Sequence, residues 1–376
     1  MAILFIEDLS TSNLYGCFDN HELKYKTNTV KTPTHSNVTI DGKTFRTTPD
    51  PNKIFSFDIS EVVRTLMNVN LFNDEMIVDL TNTNEYRYAD ATLSKSVTVE
   101  FKIVFDDASE ELTTRNYEFI KSVHKVETYE DEVLNIQDEN IALLLPFIDD
   151  SNNNYYSPYY HGFPFDFQLY SKTSTTITIK NLLTEQSISK NVLKGVSRMF
   201  LSDGLNNSTL IGDLPIIRGT NELEISDSLG NKLYLTVERF DTCGSVFKYV
   251  NSKGGYSYTS FDKYNTEELK TNTNDEIQSE VANITKVTEN SLITGKRSMI
   301  TKDYVKSRVT RVQQKHFEEI YDSPRVWIYN GKGHDAMRLK RWFGITVKDD
   351  KYDIKGRRNI NDRYMTIESI KKTQTY

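Results

Sequence analysis

A mainly β chain with a few helices is what this sequence predicts, and three observations carry the prediction. Tyr, Phe, Thr, Val and Ile are prominent, with 22 Tyr and 19 Phe alone. Such side chains suit the pleated, half-buried surface of a sheet. Period-two alternation recurs along the chain. It is cleanest where Val97, Val99, Phe101, Ile103 and Phe105 share one face and Thr98, Glu100 and Lys102 the other. Finally, Asn251-Ser-Lys-Gly-Gly255 separates two short aromatic–polar runs, which reads as a β-hairpin whose glycines take the positive φ of the reversal.

At 376 residues the chain is long enough for two or three domains. Residues 1–135 read as a β-sandwich-like domain, with strands at Ile3–Phe5, Val38–Ile40, Ile54–Phe57, Met76–Leu80 and Val97–Phe105. Its one short helix runs from Asp58 to Met67. Asp58 accepts the first free N–H groups, Glu61 reaches back, and Ile59, Val62, Val63 and Leu66 form an apolar stripe. Residues 136–242 read as a second small β-domain, with strands at Thr175–Lys180 and Lys232–Glu238. An aromatic loop precedes them, containing Tyr155, Tyr156, Tyr159, Tyr160, Phe163, Phe165 and Phe167. Residues 243–376 read as an α+β domain that begins with the hairpin. Its main helix is expected within Tyr304–Tyr321, stopping before Pro324, and strands follow at Val326–Tyr329, Lys340–Lys348 and Tyr364–Ile370.

Composition excludes some classes of function. Two cysteines, Cys17 and Cys243, make no disulfide framework, as expected of assembly in a reducing cytosol. The first residues lack a basic segment and a long apolar core, so no signal peptide is expected. The longest apolar run, Ile141–Leu145, stops at Pro146, so a soluble protein without a membrane span is expected. Charge is polarised. Residues 291–376 hold 20 Lys and Arg against 10 Asp and Glu, a balance of +10 that leaves −17 for residues 1–290 within the net −7. Opposite ends of this kind suit head-to-tail contact between copies, or a basic end close to nucleic acid. Without aromatic–basic interleaving in the sequence, protein contact is the favoured reading.

A search for chemistry yields no catalytic set, no metal site and no cofactor motif. Gly331-Lys-Gly-His334 lacks the spacing of a phosphate loop. Asp349, Asp350 and Asp353 with Gly356 lack the alternate spacing and closing Glu of a calcium loop, and read as a solvated turn. His21, His35, His124, His161, His316 and His334 are dispersed. Asp106-Asp107 and Glu110-Glu111 read as turn acids. The chain is therefore expected not to be an enzyme, although glycosidase carboxylates can lie far apart in sequence. The aromatic loop can stack on sugars, anchor a subunit interface, or pack on its own domain. Interface and self-packing outweigh carbohydrate because the loop contains no Trp. In the hairpin, Gly254 and Gly255 serve backbone geometry, Asn251 begins the turn, and Tyr249, Tyr256, Tyr258 and Phe261 are core or interface aromatics.

The stretch Cys243–Phe261 resembles virion proteins of tailed phages infecting Bacteroidota, the crAss-like and related phages. There a Cys precedes an aromatic strand, Asn-x-x-Gly-Gly, a second aromatic strand and Phe; Tyr249 stands where the family usually has Trp. A helix, Ser323-Pro324, an aromatic strand and paired C-terminal strands continue the likeness over residues 240–376. The resemblance implies a structural tail protein (ring, connector or baseplate) that closes into a symmetric ring with its own copies. It further implies docking to other tail or connector proteins near channel DNA, assembly in the host cytoplasm, and residence in the virion. A host-glycan-binding module of the tail and a tail-associated glycan-degrading enzyme are the alternatives.

Overall fold

The computed structural model describes residues 3–67, 74, 87–122, 134–135, 140–145, 148–149, 154–203, 214–241, 244–261, 263–278, 291–306, 319–329, 342–347, 354–357 and 360–370. The chain is mainly β, as composition and alternation predict, and its described strands form five sheets. They divide between two compact units. The first comprises Met1–Phe240 with Val250–Ser257, the second Asp241–Tyr249 with Tyr258–Tyr376. Residues 1–240, which take in the N-terminal segment and nearly all of the middle one, thus fall within the first unit, which also holds the tip of the hairpin.

In the first unit, a three-stranded sheet of Ile3–Glu7, Glu22–Thr27 and Phe55–Asp58 shares one core with a six-stranded sheet built on Ser94–Phe105. Alternation explains the inner face of that central strand: Val97, Val99, Phe101, Ile103 and Phe105 are all buried. Aromatic side chains fill the space between the sheets. The Tyr25 ring lies 4.9 Å from Phe101 and 5.4 Å from Phe55, and Phe5 lies 5.1 Å from Phe101. The Tyr25 hydroxyl donates to Ser36 Oγ at 2.7 Å, which satisfies a polar atom that would otherwise be costly to bury. The Ser60–Met67 helix contributes Val63 and Met67 to this core. Asp58 accepts from Ser60 N at 2.8 Å, the capping expected from sequence.

The rest of the unit holds a four-stranded sheet, Ile141–Leu143, Pro164–Ser171, Gly195–Asp203 and Arg87–Ala89 in spatial order, and a six-stranded sheet that includes Asn154–Tyr160, Thr175–Asn181 and Lys232–Phe240. In the second unit one sheet runs in the order Tyr256–Phe261, Ser245–Val250, Val326–Tyr329, Trp342–Val347, Ile360–Ile370, Ser291–Lys306 and Lys263–Gln278; Ile354–Arg357 pairs onto Ile360–Ile370. Phe247, Tyr249, Phe261, Tyr304, Ile320 and Val326 are the buried residues of its core.

Three expectations change. The range expected to contain the main helix is shortened at its start: Tyr304 lies on the strand Ser291–Lys306, opposite Tyr264 and Met365 and with its ring 5.1 Å from Phe247, and residues 307–318 lie outside the described residues. Helix in that region is described only over 319–322. Glu110 and Glu111 are strand residues, and buried Glu111 accepts from Thr27 Oγ1 at 2.8 Å. The aromatic loop is two strands, Asn154–Tyr160 and Pro164–Ser171, in different sheets. The positive φ of Gly162 serves the short turn between them. The strand expected at Met76–Leu80, the glycine-rich turn at 331–334, Asp349, Asp350, Asp353, Cys243, His124, His316 and His334 lie outside the described residues.

Candidate functional site

The hairpin strands Ser245–Val250 and Tyr256–Phe261 are joined by a turn in which Asn251 N donates to Gly255 O at 2.9 Å and Gly254 N to Asn251 O at 3.1 Å. Asn251 uses its whole side-chain capacity. Its Oδ1 accepts from Lys253 N (3.0 Å) and Gly255 N (2.9 Å), and its Nδ2 donates to Leu144 O and Ser257 Oγ, both at 3.0 Å. Hairpin turns ordinarily face solvent. This one is buried, with Asn251 at 3% and Lys253 at 7% exposure.

Both glycines are required, for different reasons. Gly254 has φ +79°, and a Cβ there would lie 2.9 Å from the Lys121 carbonyl oxygen. Gly255 has no such φ, but its Cβ would meet Leu144 O at 2.4 Å and Gln168 Oε1 at 2.6 Å. The backbone here is packed too closely for any side chain.

Beneath the tip lies a buried charge network. Tyr256 N donates to Gln168 Oε1 at 2.6 Å, and Gln168 Nε2 donates to Asp166 Oδ2 at 2.6 Å. Arg198 grips Asp166 with two donors, Nε to Oδ2 at 2.7 Å and Nη2 to Oδ1 at 3.1 Å, while its Nη1 reaches Asp74 at 2.7 Å. Its guanidinium lies 4.5 Å from the Tyr256 ring centroid and 5.0 Å from that of Phe200. Burial pulls the Arg198 pKa down, but Asp166 and Asp74 outweigh it and hold the group well above its usual value. Burial, then the charge of Asp74, pushes the Tyr256 hydroxyl up, so it stays protonated. Every member is thus held by another, and the geometry supports rigidity rather than proton transfer.

Sequence reading did not find Arg198, Asp166 or Gln168. Asp166 and Gln168 sit on a strand buried on both faces, where alternation no longer marks polar residues as outward. Tyr249, Tyr256, Tyr258 and Phe261 are all buried, the first and last in the core of the second unit. Among the aromatic strand residues, Tyr156, Tyr159, Tyr160, Phe165 and Phe167 are buried, and Tyr155 and Phe163 half-buried. Tyr159 packs on Phe165 at 5.4 Å and Tyr160 stacks on Phe240 at 5.9 Å, so these rings are occupied with one another.

Other reactive groups are similarly engaged. His21 Nε2 donates to Gly16 O at 2.7 Å. Cys17 is buried, and burial pushes its pKa up to about 12, which keeps it a thiol. A polar groove of about 440 Å³ runs past Arg115, Glu118, Lys172 and Lys194; Lys194 pairs with Glu118 at 2.5 Å and Arg115 with Asp8 at 3.4 Å. Among the described residues, no three His, Cys, Asp or Glu gather as metal ligands, and no helix is long and apolar enough to cross a membrane.

No protein-family model matches the chain, and no curated protein matches it. Solved structures similar in part include fibronectin(III)-like modules of CbhA from Clostridium thermocellum, 6% identical over 63% of this chain and 95% of that one, TM-score 0.21. The titin segment A168–169 is 11% identical over 64% and 100%, TM-score 0.26. SGBP-B of the Bacteroides ovatus mixed-linkage glucan utilization locus, solved with a mixed-linkage heptasaccharide, is 9% identical over 96% and 73%, TM-score 0.19.

Proposed function

We propose that this chain is a non-catalytic structural protein of a phage tail, a ring, connector or baseplate component that closes into a symmetric ring with its own copies and docks neighbouring tail proteins. The observation that carries the reading is the Asn251–Gly255 turn. It bears the resemblance to virion proteins, and every polar contact of Asn251 and both glycine positions serve packing alone. The polarised charge supports ordered contact between copies, since a +10 end and a −17 remainder attract head to tail. Burial of Tyr159, Phe165 and Phe167 favours packing over sugar stacking for those rings, while Tyr155 and Phe163 stay half-buried. On this reading the protein assembles in the host cytoplasm and is carried in the virion.

The test is negative-stain imaging and light scattering of the expressed protein, with mass spectrometry of purified particles. Closed rings and a stoichiometric copy number are expected. A monomer absent from particles, or one that releases reducing ends from purified glycan, would overturn the proposal.

A further inference from the structure

Both tryptophans of the chain converge on one lysine. Lys248 Nζ lies 5.0 Å from the Trp327 ring and 4.7 Å from the Trp342 ring. Tyr258 and Tyr329 close round Trp342 at 6.0 and 5.1 Å. Register explains the convergence. Lys248 is opposite Trp327, Trp327 opposite Gly344, and Tyr329 opposite Trp342, so all share one face of the second unit's sheet. Gly344 supplies a gap across which Arg325 lies; a Cβ at 344 would be 2.6 Å from Arg325 Nη2.

Exposure is graded across this face. Lys248 and Trp327 are buried, Tyr329 and Trp342 half-buried, and Arg325 exposed. Among the described residues no carboxylate pairs with Arg325. The Arg325 guanidinium lies 6.0 Å from the Trp327 ring and over Gly344, and an Arg with half-open Trp342 and Tyr329 on the same face has the composition of a binding hot spot.

We infer that the face of this sheet bearing Arg325, Tyr329 and Trp342 anchors one copy of the chain on the acidic first unit of a second copy. The inference rests on the ring reading above. Charge selects the occupant. Residues 1–240 hold 21 Lys and Arg against 35 Asp and Glu, while residues 291–376 carry +10. A carboxylate of the neighbouring copy entering beside Trp342 accepts from the Arg325 fork in the bidentate geometry that guanidinium favours. Nucleic acid fits less well at this point, because Lys248 is enclosed by rings and is withdrawn from the row of cations that a phosphate backbone needs.

The experiment uses the full chain. Wild type, Arg325→Glu and Tyr329→Ser are compared by light scattering against concentration and by intrinsic fluorescence, with a thermal melt to establish that each folds. Trp327 and Trp342 are the sole indoles, so the emission reports on this site. Expected are a blue shift on wild-type assembly and a concentration for assembly raised about tenfold in folded Arg325→Glu. Folded variants that assemble like wild type with the same emission shift would overturn the inference and leave the ring reading standing. A wild type that stays monomeric would overturn the ring reading and the inference with it. An oligonucleotide that shifts the emission at low micromolar concentration would replace the second copy as the partner.

Discussion

At Gly254 two constraints coincide: φ of +79° and a carbonyl oxygen 2.9 Å from where a Cβ would sit. Val is strained at that φ and has no room for its branches. Gly254→Val should therefore lower stability by about 1–3 kcal/mol from backbone strain, with a further cost from the clash. A melt indistinguishable from wild type would show that the turn is not the one described. Arg198 is constrained by charge instead. Removing Asp166 leaves a buried guanidinium short of its bidentate partner, and breaking such a pair costs about 3–5 kcal/mol. Asp166→Ala should approach that loss in denaturant unfolding, while Arg198→Met combined with Asp166→Leu should recover much of it. A double variant no better than the single would mean that the charges themselves are required.

The short helix and the strands show how much of each element can be read locally. The Ser60–Met67 helix follows from its cap and stripe, because Asp58 and the apolar residues act within a few positions of one another. Burial alone would raise the Asp58 pKa, but the hydrogen bonds from Ser60 prevail and hold it below the usual 3.8. The sign follows: the cap contributes fully above pH 3.8 and is lost as pH falls through the lower folded value. Asp58→Ala should cost about 0.5–2 kcal/mol at neutral pH. The gap between variant and wild type, followed by urea unfolding, should narrow only below pH 3.8; a gap unchanged at pH 2 would assign it to packing. The range expected to hold the second helix begins too early, since its first residues, 304–306, are strand. Thr301, Tyr304 and Val305 suit either state over so short a span, and the pairing that makes them strand comes from residues 263–278 and 360–370.

For the molecule as a whole, the charge polarity is the feature with the longest reach. If copies meet head to tail, raising salt from 50 to 500 mM should slow assembly, since screening shortens from about 14 Å to about 4 Å. Stopped-flow light scattering would measure it, and a salt-independent rate would remove electrostatic guidance from the account. The compact units are another matter. Residues 250–257 belong with the first unit although their chain neighbours on both sides belong to the second. The sequence division at 242–243 could not anticipate this, because tip and flanks have the same aromatic, strand-forming composition.

Strand-forming stretches, the helix cap, the position of the glycine turn and the uneven charge were all legible in the order of residues, because each arises from neighbours within a turn or a strand length. Which polar side chains would be enclosed was not. Asp166, Arg198 and Tyr256 are far apart along the chain, and Pro164–Ser171 is covered on both faces, where alternation carries no information. Only the stacking of sheets brings those groups together in a region that excludes water, and there the same residues that would be solvated in an isolated strand must find one another.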